Sequence, residues 1–429
     1  MKTKKQDSDI IVGLDVGTTK ICVIVARVRD DNNLDVIGIG KAHSDGLHRG
    51  LVVNPKKTIE SIKIAIDNAE RNSGMEITNV TVGIAGHHIK CMQTSASIGI
   101  NNPDRTIHQE DVDRILEQSK LLRLSSDTKI VHVIPQEFVI DDREPIFESP
   151  VGMLGIKLAA KVNLIMGLVS SIDDLSQCVT ACGVDVDDIV LEPIASAHAV
   201  LDETEKKVGV AMIDIGGGTT DVAVFKKGIL RYTAGIGIAG NLVTSDIVEG
   251  LGILEADAER IKKEYGYAMV SEILNDDEII VKNNIREQVP KKIKKSVLAR
   301  IIEARMQDIF ELSAIEIKNS QIMNELHAGV VITGGGSLIR GTKDIAEQIL
   351  GMEVNLGSPR GLSGGLIREI ESPIYATGVG LVLHRYKELS GKIPLRKSKQ
   401  GQTKKSQHTE ADVSPKKIFT KIKSWFDEL

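Results

Sequence analysis

Short apolar runs that end in glycine and threonine recur along this chain. In the clearest case, apolar positions at 210–213 predict a buried strand, and those at 221–225 predict its partner. The turn between them holds glycines and threonines, namely Gly216, Gly217, Gly218, Thr219 and Thr220. Glycines leave backbone N–H groups open to an anion, and threonine hydroxyls add donors. The stretch therefore predicts a hairpin that grips phosphate.

The same design appears earlier in the chain, at residues 11–28. Two apolar runs again flank a short turn, which contains Gly17, Thr18, Thr19 and Lys20. We align the threonine pair of this turn with Thr219 and Thr220. Either stretch alone is compatible with an ordinary glycine-rich hairpin. The repetition predicts two similar lobes that close on one polyphosphate from opposite sides, with Lys20 as a fixed positive charge.

An aspartate stands at the mouth of the first strand in each hairpin. Asp15 in the first hairpin corresponds to Asp214 in the second. A bare carboxylate would repel phosphate, so we expect both aspartates to hold Mg²⁺ through its water shell. A third acid, Glu192, ends an apolar run ahead of a predicted helix and is placed to orient a water molecule at a terminal phosphate. A surface charge or a helix N-terminal charge is the alternative for Glu192.

The rest of the folded chain alternates strands with helices, which is typical of an α/β protein. In the first lobe, before an insertion, we predict strands at 34–40 and 80–85 and a helix at 55–69. After the insertion we predict a strand at 164–169, a helix at 173–182, a strand at 188–193 and a helix at 194–205. The inserted segment, 87–163, has a different pattern of predicted elements, with a helix at 109–122 and strands at 129–140 and 156–163. We predict that it is a small α+β subdomain.

The second lobe contains a charged block at 251–319 that is predicted to be helical. Its helix at 254–265 places Glu259, Lys262 and Lys263 on one face. A strand at 330–333 then leads into Gly334, Gly335, Gly336 and Ser337, followed by helices at 342–350 and 373–386. A close backbone approach at these glycines suits a nucleoside between the lobes, with the three charged residues contacting ribose and base. The G-x-G-x-x-G pattern at 235–240 is not a dinucleotide site, because a helix follows where a second strand should be.

The last residues differ from everything before them. Residues 387–414 are rich in Lys, Ser and Gln and predict a disordered linker. Residues 415–429 place apolar side chains at helical spacing and lysines opposite them: Ile418, Phe419, Ile422, Trp425, Phe426 and Leu429 against Lys416, Lys417, Lys421 and Lys423. This composition predicts a helix that lies on an anionic membrane surface; docking on a protein partner is the alternative. The chain's aromatic content of 3% argues against base stacking on nucleic acid.

The three glycine motifs, in this order, resemble the phosphate and adenosine motifs of the superfamily of actin, heat-shock chaperones and sugar kinases. Residues 192–197 look like the first connecting segment of that superfamily. Within it, the segments Pro150-Val-Gly-Met-Leu-Gly155 and 44–54 resemble the FtsA family of bacterial cell-division proteins, which carries a distinctive subdomain in its first lobe. The resemblance implies a two-lobed actin-like fold with the ribonuclease H-like topology.

The resemblance also implies a function. ATP with Mg²⁺ would bind in the cleft, turnover would be slow at most, and the chain would assemble with itself. It would tether the division protein FtsZ to the cytoplasmic face of the cell membrane at the septum and recruit later division proteins. The FtsZ C-terminal tail would bind the helical subdomain, where Arg300 and Arg305 are the matching basic residues. A small-molecule kinase of the same superfold and the pilus-assembly relative remain alternatives.

The predicted order of domains follows from these assignments. It is the first lobe at 9–86 and 164–206, the inserted subdomain at 87–163, the second lobe at 207–250 and 320–386 with its helical subdomain at 251–319, the linker at 387–414 and the amphipathic helix at 415–429.

Overall fold

The computed structural model describes residues 9–30, 33–121, 124–281 and 290–391. The first lobe begins with β1 Ile10–Val16, β2 Lys20–Val28, β3 Leu34–His43, β4 Leu47–His48, β5 Leu51–Val52, α1 Pro55–Ser73 and β6 Asn79–Ile84. The inserted subdomain follows, with β7 Lys90–Gly99, α2 Gln109–Ser119, β8 Thr128–Ile140 and β9 Lys157–Leu168. The chain returns to the first lobe in α3 Val169–Thr180 and β10 Asp185–Leu191, then crosses over through α4 Glu192–Val200 and α5 Glu203–Val208.

The second lobe contains the elements from β11 to β17. They are β11 Val210–Ile215, β12 Thr220–Lys226, β13 Ile229–Ile236, α6 Gly240–Leu251, α7 Glu255–Tyr265, β14 Glu278–Val281, β15 Lys291–Lys294, α8 Lys295–Asn319, β16 Val330–Thr333, α9 Thr342–Leu350 and β17 Val354–Leu356. The chain then supplies β18 Gly364–Gly365 and α10 Ala376–Leu389.

Each lobe is built on a mixed sheet. The first has the order β10-β6-β1-β2-β3-β18, and the second has the order β13-β12-β11-β16-β17. In both, an antiparallel hairpin lies beside a strand that runs parallel to its first member: β6 beside β1, and β16 beside β11. The same arrangement therefore occurs twice, as the repeated hairpin sequences predict. The inserted subdomain has its own sheet, β7-β9-β8, and its own apolar core around α2.

Helix α1 shows how local sequence sets these elements. The side chain of Asn54 accepts a hydrogen bond from the backbone N–H of Lys57, and a proline occupies the first turn. A buried stripe that includes Ile62 and Ile66 packs on the first-lobe sheet. The helix ends at Gly74, whose left-handed conformation (φ 69°) favours glycine. It therefore extends one turn beyond the predicted end at residue 69.

The lobes are joined where α4 crosses α10. A Cβ atom on Gly380 would lie 1.8 Å from the carbonyl oxygen of Ala195, so this crossing requires glycine. A Cβ atom on Gly13 would lie 2.8 Å from the carbonyl oxygen of Gly378, so α10 also lies directly against β1. At this junction the backbones of α4, α10 and β1 therefore lie directly against one another.

The structure corrects several predicted elements. Residues 156–163 and 164–169 are not two strands but the single strand β9, which belongs to the inserted sheet, so the first lobe resumes at α3. The predicted helix at 194–205 breaks at Leu201, and Asp202 caps the next helix through the N–H of Thr204. The block at 251–319 also contains the antiparallel strand pair β14 and β15. The first residues of the predicted linker, 387–389, continue α10.

Candidate functional site

The two glycine-rich hairpins close their turns in the same way. In the first, the N–H of Gly17 donates to the carbonyl of Lys20 at 3.1 Å; in the second, the N–H of Gly216 donates to the carbonyl of Thr219 at 2.9 Å. This register corrects the alignment made from sequence. Thr18 and Thr19 correspond to Gly217 and Gly218, and Lys20 corresponds to Thr219. The match of Asp15 with Asp214 stands, because each lies one pair before the end of its ladder.

The turns meet face to face across the cleft. A Cβ atom on Gly217 would lie 1.8 Å from Oγ1 of Thr19, and one on Gly218 would lie 2.4 Å from Oγ1 of Thr18. Glycine in one lobe therefore lets the threonines of the other lobe approach its backbone. Oγ1 of Thr19 also donates to Oδ1 of Asn241 in the second lobe at 3.2 Å. Hydroxyl and amide donors from both lobes converge at this point.

Four acids gather behind the turns. Asp214 lies directly opposite Asp221 across the hairpin, and Asp15 holds the equivalent place in the other lobe. Burial raises the pKa of Asp15, and Lys20, whose Nζ lies 3.7 Å away, opposes the rise. Burial also raises the pKa of Asp214 to about 6, against a hydrogen bond from Ser196 at 2.8 Å.

The pKa values of the remaining two acids, Asp221 and Glu192, are raised as well. Burial raises the pKa of Asp221 to about 7, and the charge of Asp214 adds to the rise. Burial raises the pKa of Glu192 well above its ordinary value, followed by the charges of Asp15, Asp221 and Asp214. Sequence analysis missed Asp221. The signal was available, because a turn that pairs residue 215 with 220 also pairs 214 with 221.

This cluster suits a divalent cation. Burial is the main cause of the raised pKa in all four carboxyls, and among the residues that the structure describes Lys20 is the only cation that opposes the rise in Asp15, Asp214 and Glu192. Mg²⁺ prefers carboxylate and water oxygens and is usually held by one or two carboxylates plus phosphate. Asp15 and Asp214 are the residues that would hold it, through water, and its charge would compensate that of the acids and of bound phosphates.

Glu192 lies beside a small cavity. The cavity measures about 20 Å³ and is lined by both hairpin turns and by β6: Gly17, Thr18, Gly83, Glu192 and Thr219 are among its residues. A volume of this size accommodates about one water molecule. A Cβ atom on Gly83 would lie 2.9 Å from Cγ of Glu192, so a glycine at this point makes room for the glutamate. The geometry is compatible with a single water held between Glu192 and the turns.

The start of α6 is fastened to the second turn. The N–H groups of Gly240 and Asn241 donate to the carbonyls of Gly216 and Gly217 at 3.0 and 2.8 Å. Lys262, which is buried, donates to the carbonyl of Gly240 at 2.9 Å and to Oγ1 of Thr244 at 2.7 Å. Its ammonium thus supports the turn from behind.

Glu259 pairs with both lysines that follow it on α7. Its carboxylate lies 2.6 Å from Nζ of Lys262 and 3.0 Å from Nζ of Lys263. Burial raises the pKa of Glu259, but the charge and hydrogen bond of Lys262, together with hydrogen bonds from Thr244 and Lys263, outweigh burial and lower the pKa to about 2. The predicted contacts of these residues with ribose and base stay a prediction.

The third glycine motif packs directly behind the second hairpin. Gly334 has φ 80°, and a Cβ atom there would lie 2.3 Å from Oδ1 of Asp214. A Cβ atom on Gly336 would lie 2.3 Å from Cγ2 of Ile215. Oγ of Ser337 donates to the carbonyl of Gly334 at 2.7 Å, and Gly335 begins the short 3₁₀ turn between them. The second and third motifs therefore form one continuous surface.

Other predicted residues lie away from the cleft. Arg305 on α8 donates to Asp246 on α6 at 2.7 and 3.1 Å and to Asp308 at 2.9 Å, whereas Arg300 is exposed. Their role towards a partner stays a prediction. The predicted membrane helix at 415–429 lies outside the described residues. Among the residues that the structure describes, no helix combines the length and the apolar character needed to cross a bilayer.

Comparison with known structures shows the fold. The chain superposes on the PilM-PilN type IV pilus biogenesis complex with a TM-score of 0.61 and 13% sequence identity, over 87% of this chain and 98% of that one. It matches MreB5 of Spiroplasma citri bound to ADP with a TM-score of 0.53 and 16% identity, over 89% and 98% of the chains. The predicted actin-like fold is thereby confirmed.

Comparison of sequences shows the family. Residues 211–380 match the family model "Cell division protein FtsA", and residues 86–166 match "SHS2 domain inserted in FTSA". The chain is 37% identical to the cell division protein FtsA of Pseudomonas aeruginosa over 98% of both proteins. It is 35% identical to that of Bacillus subtilis, over 88% of this chain and 83% of the relative. The chain therefore belongs to the family of cell division protein FtsA, as its motifs predict.

Proposed function

We propose that this chain is an ATP-dependent switch of bacterial cell division that assembles with itself and attaches the FtsZ ring to the cytoplasmic membrane. The observation that carries the nucleotide part is the meeting of two equivalent turns, in which Thr18 and Thr19 face Gly218 and Gly217. A cleft lined by donors from both lobes, with acids behind them, suits Mg-ATP better than an uncharged ligand. The related fold of MreB5, solved with ADP and with AMPPNP, supports the same reading.

Each group of residues in the cleft has its own proposed role. Lys20 and the turn amides would bind phosphate oxygens, and Asp15 and Asp214 would hold the magnesium waters. The contact between Thr19 and Asn241 joins the two lobes, so phosphates that lie between the turns would set the distance between them. Glu192, beside its small cavity, would orient the water for a slow hydrolysis. The main effect of the bound nucleotide would therefore be to control lobe closure, and its hydrolysis would be secondary.

The tail supplies the membrane part of the proposal. Six apolar side chains, half-buried at about 1 kcal/mol each, and a few lysines on an anionic surface would contribute roughly 8 to 10 kcal/mol. Ordering about a dozen backbone positions offsets most of this gain. A single tail would thus bind transiently, and an assembly with many tails would bind firmly. FtsZ, through its C-terminal tail, and later division proteins are the partners that family membership suggests, at the septum.

Co-sedimentation with anionic vesicles tests the proposal. The full chain is compared with a chain that ends at Ser414, with and without Mg-ATP. We expect the full chain to pellet with the vesicles, and more of it with Mg-ATP, and the shortened chain to stay in the supernatant. A four-site Lys→Glu change at 416, 417, 421 and 423 separates charge from apolar insertion. Equal pelleting of the full and shortened chains would show that residues 415–429 are not the membrane anchor.

A further inference from the structure

One strand of the inserted subdomain touches both lobes. Strand β8 contacts the first lobe through His132, whose Nε2 accepts the backbone N–H of Leu191 at 2.9 Å, immediately before Glu192. Four residues further on, Nε2 of Gln136 donates to the carbonyl of Leu230 on β13 of the second lobe at 3.0 Å. The insertion is therefore attached on both sides of the cleft.

Two bulges in β8 lie at or beside these contacts. The pairing of β8 with β9 shifts register once between Ile130 and His132 and again between Pro135 and Glu137. A bulge leaves one residue outside the alternation and redirects its side chain. The first, Val131, enters the core of the first lobe, and the second, Gln136, lies against the second lobe with 2% of its surface exposed.

Further polar contacts fasten the insertion to β13. Nδ2 of Asn163, also buried, donates to the carbonyl of Arg231 at 2.7 Å. The guanidinium of Arg231 returns to Gln136, donating to its backbone carbonyl at 3.2 Å and to its Oε1 at 3.1 Å. On the outside, Nζ of Lys227 lies 3.3 Å from the ring centre of Phe147, a residue of the insertion. Buried amides at such a contact lose their partners when it opens.

Strand β13 links this contact to the phosphate turn. Its last residues, Gly235 and Ile236, pair with Asp221 and Thr220 in the hairpin that carries the glycines. A Cβ atom on Gly235 would lie 2.6 Å from the carbonyl oxygen of Gly86, the last residue of the first lobe before the insertion. A displacement of the phosphate turn therefore reaches the insertion through a single strand.

We propose that Gln136, Asn163 and Arg231 form an intramolecular latch that closes with the lobes and sets the rate at which nucleotide leaves the cleft. The three residues are positioning residues, since they contact the strand and not the nucleotide. The inference rests on the proposed nucleotide site. With the latch open, the second lobe moves away from the first and bound nucleotide escapes faster, while its rate of entry changes little.

A cysteine at the same contact reports the state of the latch. Cys91 lies on β7, where burial raises its thiol pKa and a hydrogen bond from the backbone of Thr233 on β13 opposes that rise. Cys182, which is also partly exposed, lies just beyond the end of α3, where its thiol donates to the carbonyl of Ile59 at 3.5 Å, and it serves as an internal reference. Cys22 and Cys178 are buried.

The experiment uses the full chain and its variants Asn163→Ala and Gln136→Ala, singly and together. The control is Lys157→Ala, on the same strand as Asn163 but paired with Asp142 on the exposed loop. Release of a fluorescent ATP analogue is followed by stopped flow, and alkylation of each cysteine is followed by mass spectrometry with and without Mg-ATP.

We expect release to speed up about tenfold in each single latch variant and not in the control. Mg-ATP should slow alkylation of Cys91 in the unaltered chain, much less in the double variant, and leave Cys182 unchanged. Unchanged release in the latch variants, with nucleotide still bound, would overturn the latch. If no form of the chain binds the analogue, the proposed function fails; in that case faster alkylation of Cys91 in the variants would still show that the three residues hold the contact closed, and unaltered alkylation would overturn it.

Discussion

Replacing Asp214 by asparagine should stabilise the protein in the absence of nucleotide and abolish its response to Mg-ATP. Asp214 is largely buried between the lobes, close to Asp15 and opposite Asp221. Asparagine keeps the shape of the side chain and the oxygen that accepts from Ser196, and it removes the charge. The change should therefore raise stability in the absence of nucleotide and remove the stabilisation by Mg-ATP. An acid that only supports the fold would instead lower stability when it is replaced, so the experiment distinguishes the two roles.

The magnitude follows from the raised pKa. Asp214 titrates at about 6 instead of 3.8, a difference that corresponds to about 3 kcal/mol. Because the folded state holds its proton more tightly than the unfolded state, this group destabilises the fold as pH rises from 4 towards 6, and the loss is complete above that. The side chain keeps some exposure, which makes 3 kcal/mol an upper limit. Asp214→Asn should thus gain about 1 kcal/mol at pH 4.5 and up to about 3 kcal/mol at pH 8.

Thermal and urea unfolding at these two pH values measures the effect. The matched control is Asp246→Asn, which removes a carboxylate whose two oxygens accept from Arg305, and should lower stability or leave it unchanged. Mg-ATP should raise the melting temperature of the unaltered chain and not that of Asp214→Asn. An Asp214→Asn protein that is less stable at both pH values, or that gains as much from Mg-ATP as the unaltered chain, would refute the reasoning.

Two further changes probe the crossing of α4 and α10 and the proposed chemistry at Glu192. Gly380→Ala should lower the free energy of unfolding by roughly 3 kcal/mol, because its Cβ would lie 1.8 Å from the carbonyl of Ala195. A urea titration measures this, with Gly99→Ala as the control, because a Cβ atom there would meet only Oδ1 of Asn101 at 3.8 Å. Equal midpoints for the Gly380→Ala and Gly99→Ala proteins would contradict the close helix crossing. Glu192→Gln should lower ATP turnover roughly 100-fold and keep ATP binding, since only water activation is lost. Phosphate release and equilibrium binding measure the two, and unchanged turnover would exclude Glu192 from the chemistry.

The phosphate hairpins were predictable because their signal is local. An apolar run, a glycine turn and a second apolar run specify a hairpin without reference to the rest of the chain. The equivalence of residues between the two hairpins was harder to predict. The sequence alignment paired threonine with threonine. In the structure, counting from the ends of the strands makes Thr18 and Thr19 equivalent to glycines of the second turn, and the two threonines also face those glycines across the cleft. Residue type misleads here because the threonine of one lobe fills the space that glycine leaves in the other.

Contacts between segments that are distant in the chain could not be predicted from the sequence. Asn241 accepts from Thr19 across the cleft, and nothing in the neighbourhood of either residue indicates the other. Lys262 was predicted to face the ligand because it shares a helix face with Glu259 and Lys263. In the structure its ammonium turns inward to Gly240 and Thr244, since helical periodicity gives the face of a residue and not the reach of a long side chain.

The inserted subdomain shows where an irregularity in sequence carries information. A regular strand alternates apolar and polar positions, but 128–140 does not, and it contains a proline at 135. Proline within a paired strand is confined to edges and bulges, and β8 lies at the edge of its sheet with a bulge at Gln136. The broken pattern thus marks the positions at which a side chain leaves its own sheet. Because those side chains enter the core of one lobe and the surface of the other, the irregular strand is the part of the insertion through which closure of the cleft would be transmitted.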